Sequence, residues 1–327
     1  MNSRFTVTKA KRESVKARIG LTGATNTGKT WTALLIAEGL LKAEGYTLEN
    51  GEVDWSKICV IDTERERALF YANNGTFGEF SHIDFKPPYH PNDYVEAVQV
   101  AQDNGAKVII IDSISHAWSG TGGVLEIVNE KTLNSRSKNT FKEGWGGKEG
   151  GTALQNNMID KILACPCHII ATFRQKMEYV QEKDENGKTT ISKLGVKPIQ
   201  RDDLEYEFDI TLKLNENHTA QVIKNTVNFI NEKEFTTNPI TSKFGEELGK
   251  YLSSGVDPKE IKEEKRKQLI TSIYEMGTKY PALVTYFKAA HPDWDLAKLS
   301  LEECITVINE FKGVLKWQKK KHYTQKL

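Results

Sequence analysis

The sequence predicts an α/β protein: a central, mostly parallel sheet flanked by helices, followed by a small C-terminal helical domain. Three observations carry this. Short segments that are apolar almost throughout, such as KICVID and KVIIID, recur up to residue 173. Segments with helical apolar spacing lie between them. Past about residue 255 the strand-like runs stop and charged, helix-forming sequence takes over. A strand that is apolar on both faces must be covered on both, the condition of a parallel sheet with crossover helices.

The elements follow in order. ARIGLTGA (17–24) reads as a strand entering a glycine turn, and TWTALLIAEGLLKAEG (30–45) as a helix stopped by a glycine. KICVIDTE (57–64) is a strand closing on acids. PNDYVEAVQVAQDNG (91–105) is a helix with Pro91 near its start and Gly105 after it. KVIIIDS (107–113) is a strand ending in Asp, TALQNNMIDKILAC (152–165) a helix, and CHIIATF (167–173) a further strand. Residues 174–203 are polar and carry the turn signal Asn186-Gly187, so a mobile hairpin or loop is expected. Residues 206–225 read as two antiparallel strands around an Asn-rich turn. DPKEIKEEKRKQLITSIYEMGTKY and LSLEECITVINEFKGVLKWQKKK read as two helices around a Pro-containing link. The expected division is a core over 1–250, with 1–16 as a basic N-terminal extension, and a helical domain over 251–327 with a basic tail.

The 327 residues are 38% hydrophobic and 27% charged, enough chain to bury a sizeable core. Net charge is only +1, but its distribution is uneven. Residues 1–18 hold six basic groups against the single acid Glu13, and 311–327 hold six lysines and no acid. Such ends suit a polyanion or simply stay solvated. Trp317 and Tyr323 in the tail add aromatic faces that suit single-stranded DNA or an acidic partner. No apolar run approaches membrane-spanning length, and the N-terminus lacks a signal core. Cys59, Cys165, Cys167 and Cys304 show no zinc spacing, so reduced thiols in a cytoplasmic compartment are expected.

The most specific signal is Gly23-Ala24-Thr25-Asn26-Thr27-Gly28-Lys29-Thr30, followed by Trp31. It is a complete P-loop, placed between a strand and a helix. Its glycines let backbone N–H groups turn around phosphate oxygens, and the helix N-terminus adds its dipole. Lys29 should reach the β- and γ-phosphates of ATP, and Thr30 should ligate Mg²⁺. Asp112, ending an apolar strand about 80 residues on, suits the second Mg²⁺ position, reached through water. Asp62 and Glu64 end the strand after the P-loop helix, on the sheet edge that carries the phosphate loop. Glu64 is the candidate base for the attacking water.

A P-loop, an acid-ending strand with Asp-x-Glu, and an apolar strand ending Asp-Ser together resemble the RecA-type recombinase ATPase core. The resemblance is closer still to phage-encoded, RecA-like, AAA-family ATP-binding proteins, through CHIIATFRQKMEY (167–179) and KPIQRDDLEYEFD (197–209). It spans roughly residues 14–225. It implies a RecA-like P-loop NTPase fold, a water-activating Glu64, Mg²⁺-ATP as cofactor, and work in recombination or single-strand annealing as a ring or filament. RecA ends the corresponding sensor strand with Asn-Gln; here Ala171-Thr172 stand there, followed by Phe173, Arg174 and Lys176. Thr172 is a catalytic candidate through a hydrogen bond to phosphate or water, with Arg174 and Lys176 as alternative phosphate sensors. DNA stimulation of hydrolysis stays open on this departure.

Two loops are candidates for nucleic acid. Residues 131–151 carry Arg136, Lys138 and Lys142 with Phe141 and Trp145, and basic groups with aromatic faces suit exposed bases. Residues 174–201 carry Lys188, Lys193, Lys197 and Arg201 and occupy the place of the second DNA loop in RecA-type proteins. Each reads equally as a surface loop or subunit contact. His116 reads as a packing or capping histidine. The expected function is a Mg²⁺-ATP-hydrolysing, phage-type recombination protein acting on single-stranded DNA, with a single-strand-binding or other recombination protein as further partner. The alternatives are an ATP-switched annealing protein with little turnover and a P-loop phosphotransferase.

Overall fold

The structure, a computed structural model, describes residues 10–137, 139–183, 189–201, 204–227 and 232–324. Side chains of 177–183, 189–197, 232–234 and 318–324 are not described. The chain divides into two compact units, Val15–Ser253 and a second formed by Ser254–Leu327 with Met1–Ser14.

The first unit begins with β1 (Arg18–Gly23), α1 (Lys29–Ala43), β2 (Ile58–Asp62) and β3 (Ser81–Asp84). It continues through α2 (Pro91–Asp103), β4 (Val108–Asp112), α3 (His116–Ser119), α4 (Val124–Asn134) and α5 (Gly151–Leu163). Then come β5 (His168–Lys183), β6 (Thr189–Pro198), β7 (Ile210–Leu214), β8 (Ala220–Asn225), α6 (Glu232–Thr237) and α7 (Ser242–Ser253). The strands run in the order β3-β2-β4-β5-β1-β7-β8, and β6 pairs with the outer half of β5. The pairs from β3 through β7 are parallel; β7–β8 and β5–β6 are antiparallel. This is the α/β architecture expected from the apolar runs.

Every residue of β2 and of β4 is buried. One face of the sheet packs Leu34, Leu40, Leu41 and Leu248 of α1 and α7. The other packs Tyr94, Val98, Met158 and Ile162 of α2 and α5. Parallel register aligns the carboxyl ends: Asp62 pairs with Asp112, and Gly23 with Arg174. Gly23 and Arg174, 151 positions apart in sequence, thus meet on one edge.

Two departures from the sequence reading have local causes. β3 has four residues, none of them buried, so it lacks the apolar run that marks a central strand. Residues 131–151, expected as a glycine-rich loop, contain the end of α4 and a π-helical turn over Thr140–Trp145. There Asn139 caps the turn through Lys142 N at 3.0 Å, and Trp145 packs on Trp118 with ring centroids 5.6 Å apart. Within 174–203, where a hairpin or loop was expected, β5 and β6 pair as an antiparallel hairpin, with Tyr179 opposite Lys193.

The second unit holds α8 (Pro258–Lys279), α9 (Pro281–Ala290) and α10 (Leu301–Thr324) around Ile273, Leu283, Phe287, Val307 and Phe311. Two helices around a Pro-containing link were expected; the link is itself a helix. Pro281 starts it at a first-turn position, where its missing N–H has no partner to lose. Residues 12–14 join this unit through Val256 N to Arg12 O and Ser14 N to Val256 O, both 2.9 Å.

Candidate nucleotide site

The site is built from the aligned carboxyl ends of β1, β2, β4 and β5. A cleft of about 140 Å³ is lined by Thr25, Asn26, Gly28, Lys29, Thr30, Glu64, Arg67, Tyr71, Asp112 and Arg174. The turn into it needs its glycines. Gly28 sits at φ +84°, the left-handed region that L side chains resist, with the His218 ring against the space a Cβ would take. A Cβ on Gly23 would press on Thr27 and the Leu214 carbonyl. His218 Nδ1 donates to Thr27 O at 3.2 Å, tying the β7–β8 turn to the loop, since a carbonyl can only accept.

The Lys29 ammonium donates to Gly23 O at 3.1 Å and Ala24 O at 2.7 Å. Burial holds its pKa below the usual lysine value, against the pull of Asp112 and Glu64. Thr30 Oγ1 donates to Asp112 Oδ2 at 2.5 Å, and Thr172 Oγ1 donates to Asp112 Oδ1 at 2.5 Å. Both carboxylate oxygens are therefore oriented by hydroxyls. Burial raises the Asp112 pKa, against the lowering effect of those two hydrogen bonds. Oxygen donors on Thr30 and Asp112, at the foot of a glycine-turned loop, are the hard ligand set that Mg²⁺ takes.

Thr172 is fully buried behind Asp112 and does not line the cleft. Its hydroxyl, expected to reach phosphate or water, instead positions the carboxylate. Asp62 is likewise turned inward: Oδ1 accepts from Glu64 N at 2.6 Å and Oδ2 from Ala68 N at 2.9 Å. This pins the turn and points the neighbouring Glu64 into the cleft. Glu64 Oε1 accepts from Ser113 Oγ at 3.2 Å and lies 3.7 Å from Arg174 Nε. Arg174 thus lies in the cleft; Lys176, two residues on, is exposed and outside its lining.

Arg67 and Tyr71 are cleft residues that sequence reasoning missed. They lie four apart on a short 3₁₀ segment after β2, and the alternating signs of ERER hid them as a solvated turn. His116, read from sequence as a packing residue, bonds Thr63 and Arg174.

The nucleic-acid candidates lie elsewhere. Arg136 and Lys142 are exposed, and Phe141 is 83% exposed. Trp145 is half-buried against Trp118, so its ring serves packing rather than standing free. Arg201 is exposed and donates to Asn156 Oδ1 at 2.8 Å. Lys193 and Lys197 lie on β6, whereas Lys138 and Lys188 fall outside the described residues.

All four cysteines are free and buried. Among the described residues no helix is long and apolar enough to cross a membrane. No curated protein matches the chain. A family model described as an AAA domain matches residues 15–238, which contain every residue lining the cleft. That match covers more than half of the 327 residues, and the chain belongs to the AAA-domain family of P-loop nucleotide-binding proteins.

Proposed function

We propose that the protein is a Mg²⁺-dependent ATP hydrolase that acts on single-stranded DNA in recombination, as phage-type RecA-like proteins do, and that it works as an oligomer. The observation that carries the hydrolase reading is the Glu64 carboxylate in the same cleft as the P-loop, Lys29 and Asp112. In this reading the loop N–H groups and Lys29 hold the triphosphate. Thr30 and Asp112 would hold Mg²⁺, which would supply positive charge to offset that of the phosphates. Glu64 orients the attacking water and accepts its proton. The half-buried Tyr71, which lines the cleft, would offer an aromatic surface to the nucleoside base.

The DNA reading rests on continuity. β5 passes through Arg174 in the cleft and runs directly into the hairpin bearing Lys176, Lys193 and Lys197. Gln175 Nε2 donates to Thr22 Oγ1 at 3.0 Å, beside the P-loop. A strand held by this hairpin would therefore pull on the nucleotide cleft through one β-strand.

The test is ATP turnover with and without single-stranded DNA across a salt series. DNA should raise turnover, and binding should weaken steeply with salt as counterions are released. Turnover without any DNA binding at low salt would remove the recombination role and leave the hydrolase. A second reading, an ATP-switched annealing protein with little turnover, draws on the contacts that already occupy Glu64, namely Ser113 and Arg174. Annealing that survives in Glu64→Gln favours it.

A further inference from the structure

His116 opens α3, four residues past Asp112, and its ring is held on three sides. Nδ1 lies 2.7 Å from Thr63 Oγ1, Nε2 lies 3.1 Å from Arg174 Nη1, and the ring stacks on Tyr89 with centroids 4.8 Å apart at 24°. The protonation state follows from donor counting. A guanidinium can only donate, so Nε2 must accept. Thr63 Oγ1 has one proton, which goes to Ser113 O at 3.1 Å. Thr63 therefore accepts from Nδ1–H, as it does from Ser113 N at 2.8 Å. The ring is neutral, with its proton on Nδ1.

Arg174 is held between two partners. His116 Nε2 accepts on one side, and Glu64 Oε1 lies 3.7 Å away on the other. We propose that neutral His116 is a positioning residue that parks Arg174 on Glu64, so that the terminal phosphate of a nucleoside triphosphate must compete for the guanidinium. The proposal rests on the hydrolase reading and adds a gate to it. While parked, Arg174 neutralises the carboxylate that activates water. Once the phosphate draws the arginine away, Glu64 is released and the γ-phosphate gains a cation.

Protonating His116 breaks the parking, because Nε2–H then faces a guanidinium that can only donate. The groups around the ring are Thr63 and the charges of Glu64 and Arg65 after β2, Tyr89 before α2, Ser113 after β4 and Arg174 on β5. Burial lowers the His116 pKa, Arg174 and Arg65 lower it further, and Glu64 opposes them. Protonation therefore sets in on the acidic side of the ordinary histidine range. Both the freed arginine and the charged ring then favour a triphosphate. ADP lacks the γ-phosphate and should respond little.

The test is a fluorescence titration of the full-length protein with the imidodiphosphate analogue of ATP and with ADP, at about pH 8 and about pH 5. His116→Gln is the key variant, since its amide still accepts from Arg174 and donates to Thr63 but cannot titrate. On going to the lower pH, the triphosphate-over-diphosphate preference of the wild type should rise about five-fold more than that of His116→Gln. Comparing the two proteins at each pH cancels titration of the nucleotide itself. His116→Ala, which frees the arginine but adds no charge, should show at about pH 8 a preference above that of the wild type at the same pH. Equal pH dependence in the wild type and His116→Gln overturns the parking role and leaves the hydrolase reading intact. Failure of the wild type to bind either nucleotide sinks the hydrolase reading itself.

Discussion

Asp112 gains its character from two hydroxyls rather than from a charge partner. Thr30 and Thr172 each donate to one of its oxygens, which keeps a buried carboxylate oriented where burial alone favours the neutral acid. Thr172→Val keeps shape and removes one donor. Apparent Mg²⁺ affinity, read from the Mg²⁺ dependence of ATP turnover, should fall about ten-fold, as for other outer partners of metal ligands. An unchanged Mg²⁺ curve would contradict this role for Thr172. Glu64→Gln removes the base but retains size and hydrogen bonding. Turnover should fall on the order of 10²-fold or more while nucleotide binding persists; a variant that keeps wild-type turnover would clear Glu64 of that role.

Between elements, α1 and α7 approach each other closely in the first unit. A Cβ on Gly245 would run into the Ile36 carbonyl, and one on Gly39 into the Ser242 carbonyl. These glycines serve close approach rather than a turn, since neither has positive φ. Closeness matters because α1 begins at Lys29 and carries the P-loop helix terminus. Gly245→Ala should destabilise the protein by about 1–3 kcal/mol through overpacking, measured by denaturant unfolding with Gly313→Ala as control. A Cβ at Gly313 would meet no neighbouring atom. An equally stable Gly245→Ala would show that the two helices separate without cost.

For the molecule as a whole, acid stability depends on a second cluster, at the opposite edge of the sheet from the cleft. His168 Nδ1 accepts from Ala17 N at 2.9 Å, so its proton sits on Nε2 and is donated to Glu44 Oε1 at 2.9 Å. Lys16 pairs with the same carboxylate oxygen at 2.5 Å. Burial works against ionisation, but the His168 hydrogen bond and the Lys16 pair outweigh it and hold Glu44 at about 2, against an ordinary 4.5. A folded-state pKa below the unfolded one gives stability that is complete above about 4.5 and is lost as pH falls towards 2. Glu44→Gln should therefore lower Tm at neutral pH and flatten its decline between about pH 5 and pH 2. Parallel melting curves across that range would show that the cluster does not couple to folding.

The sequence by itself determined the apolar strands of the sheet and the helices α1, α2 and α5, because an all-apolar β2 or β4 has no other low-energy environment. It also determined the P-loop and the acids Glu64 and Asp112, because their chemistry is local: a residue type at a strand end. It did not show the edge strand β3, whose residues are not buried, nor the π-helical turn that places Trp145 against Trp118 instead of in solvent. Nor did it show what Thr172 and His116 touch. Thr63, Tyr89, His116 and Arg174 are scattered over more than a hundred positions, and only parallel strand register gathers them beside Glu64. Hydrogen-bond partners at such separations are set by which strands are neighbours, and that order is a property of the packed sheet.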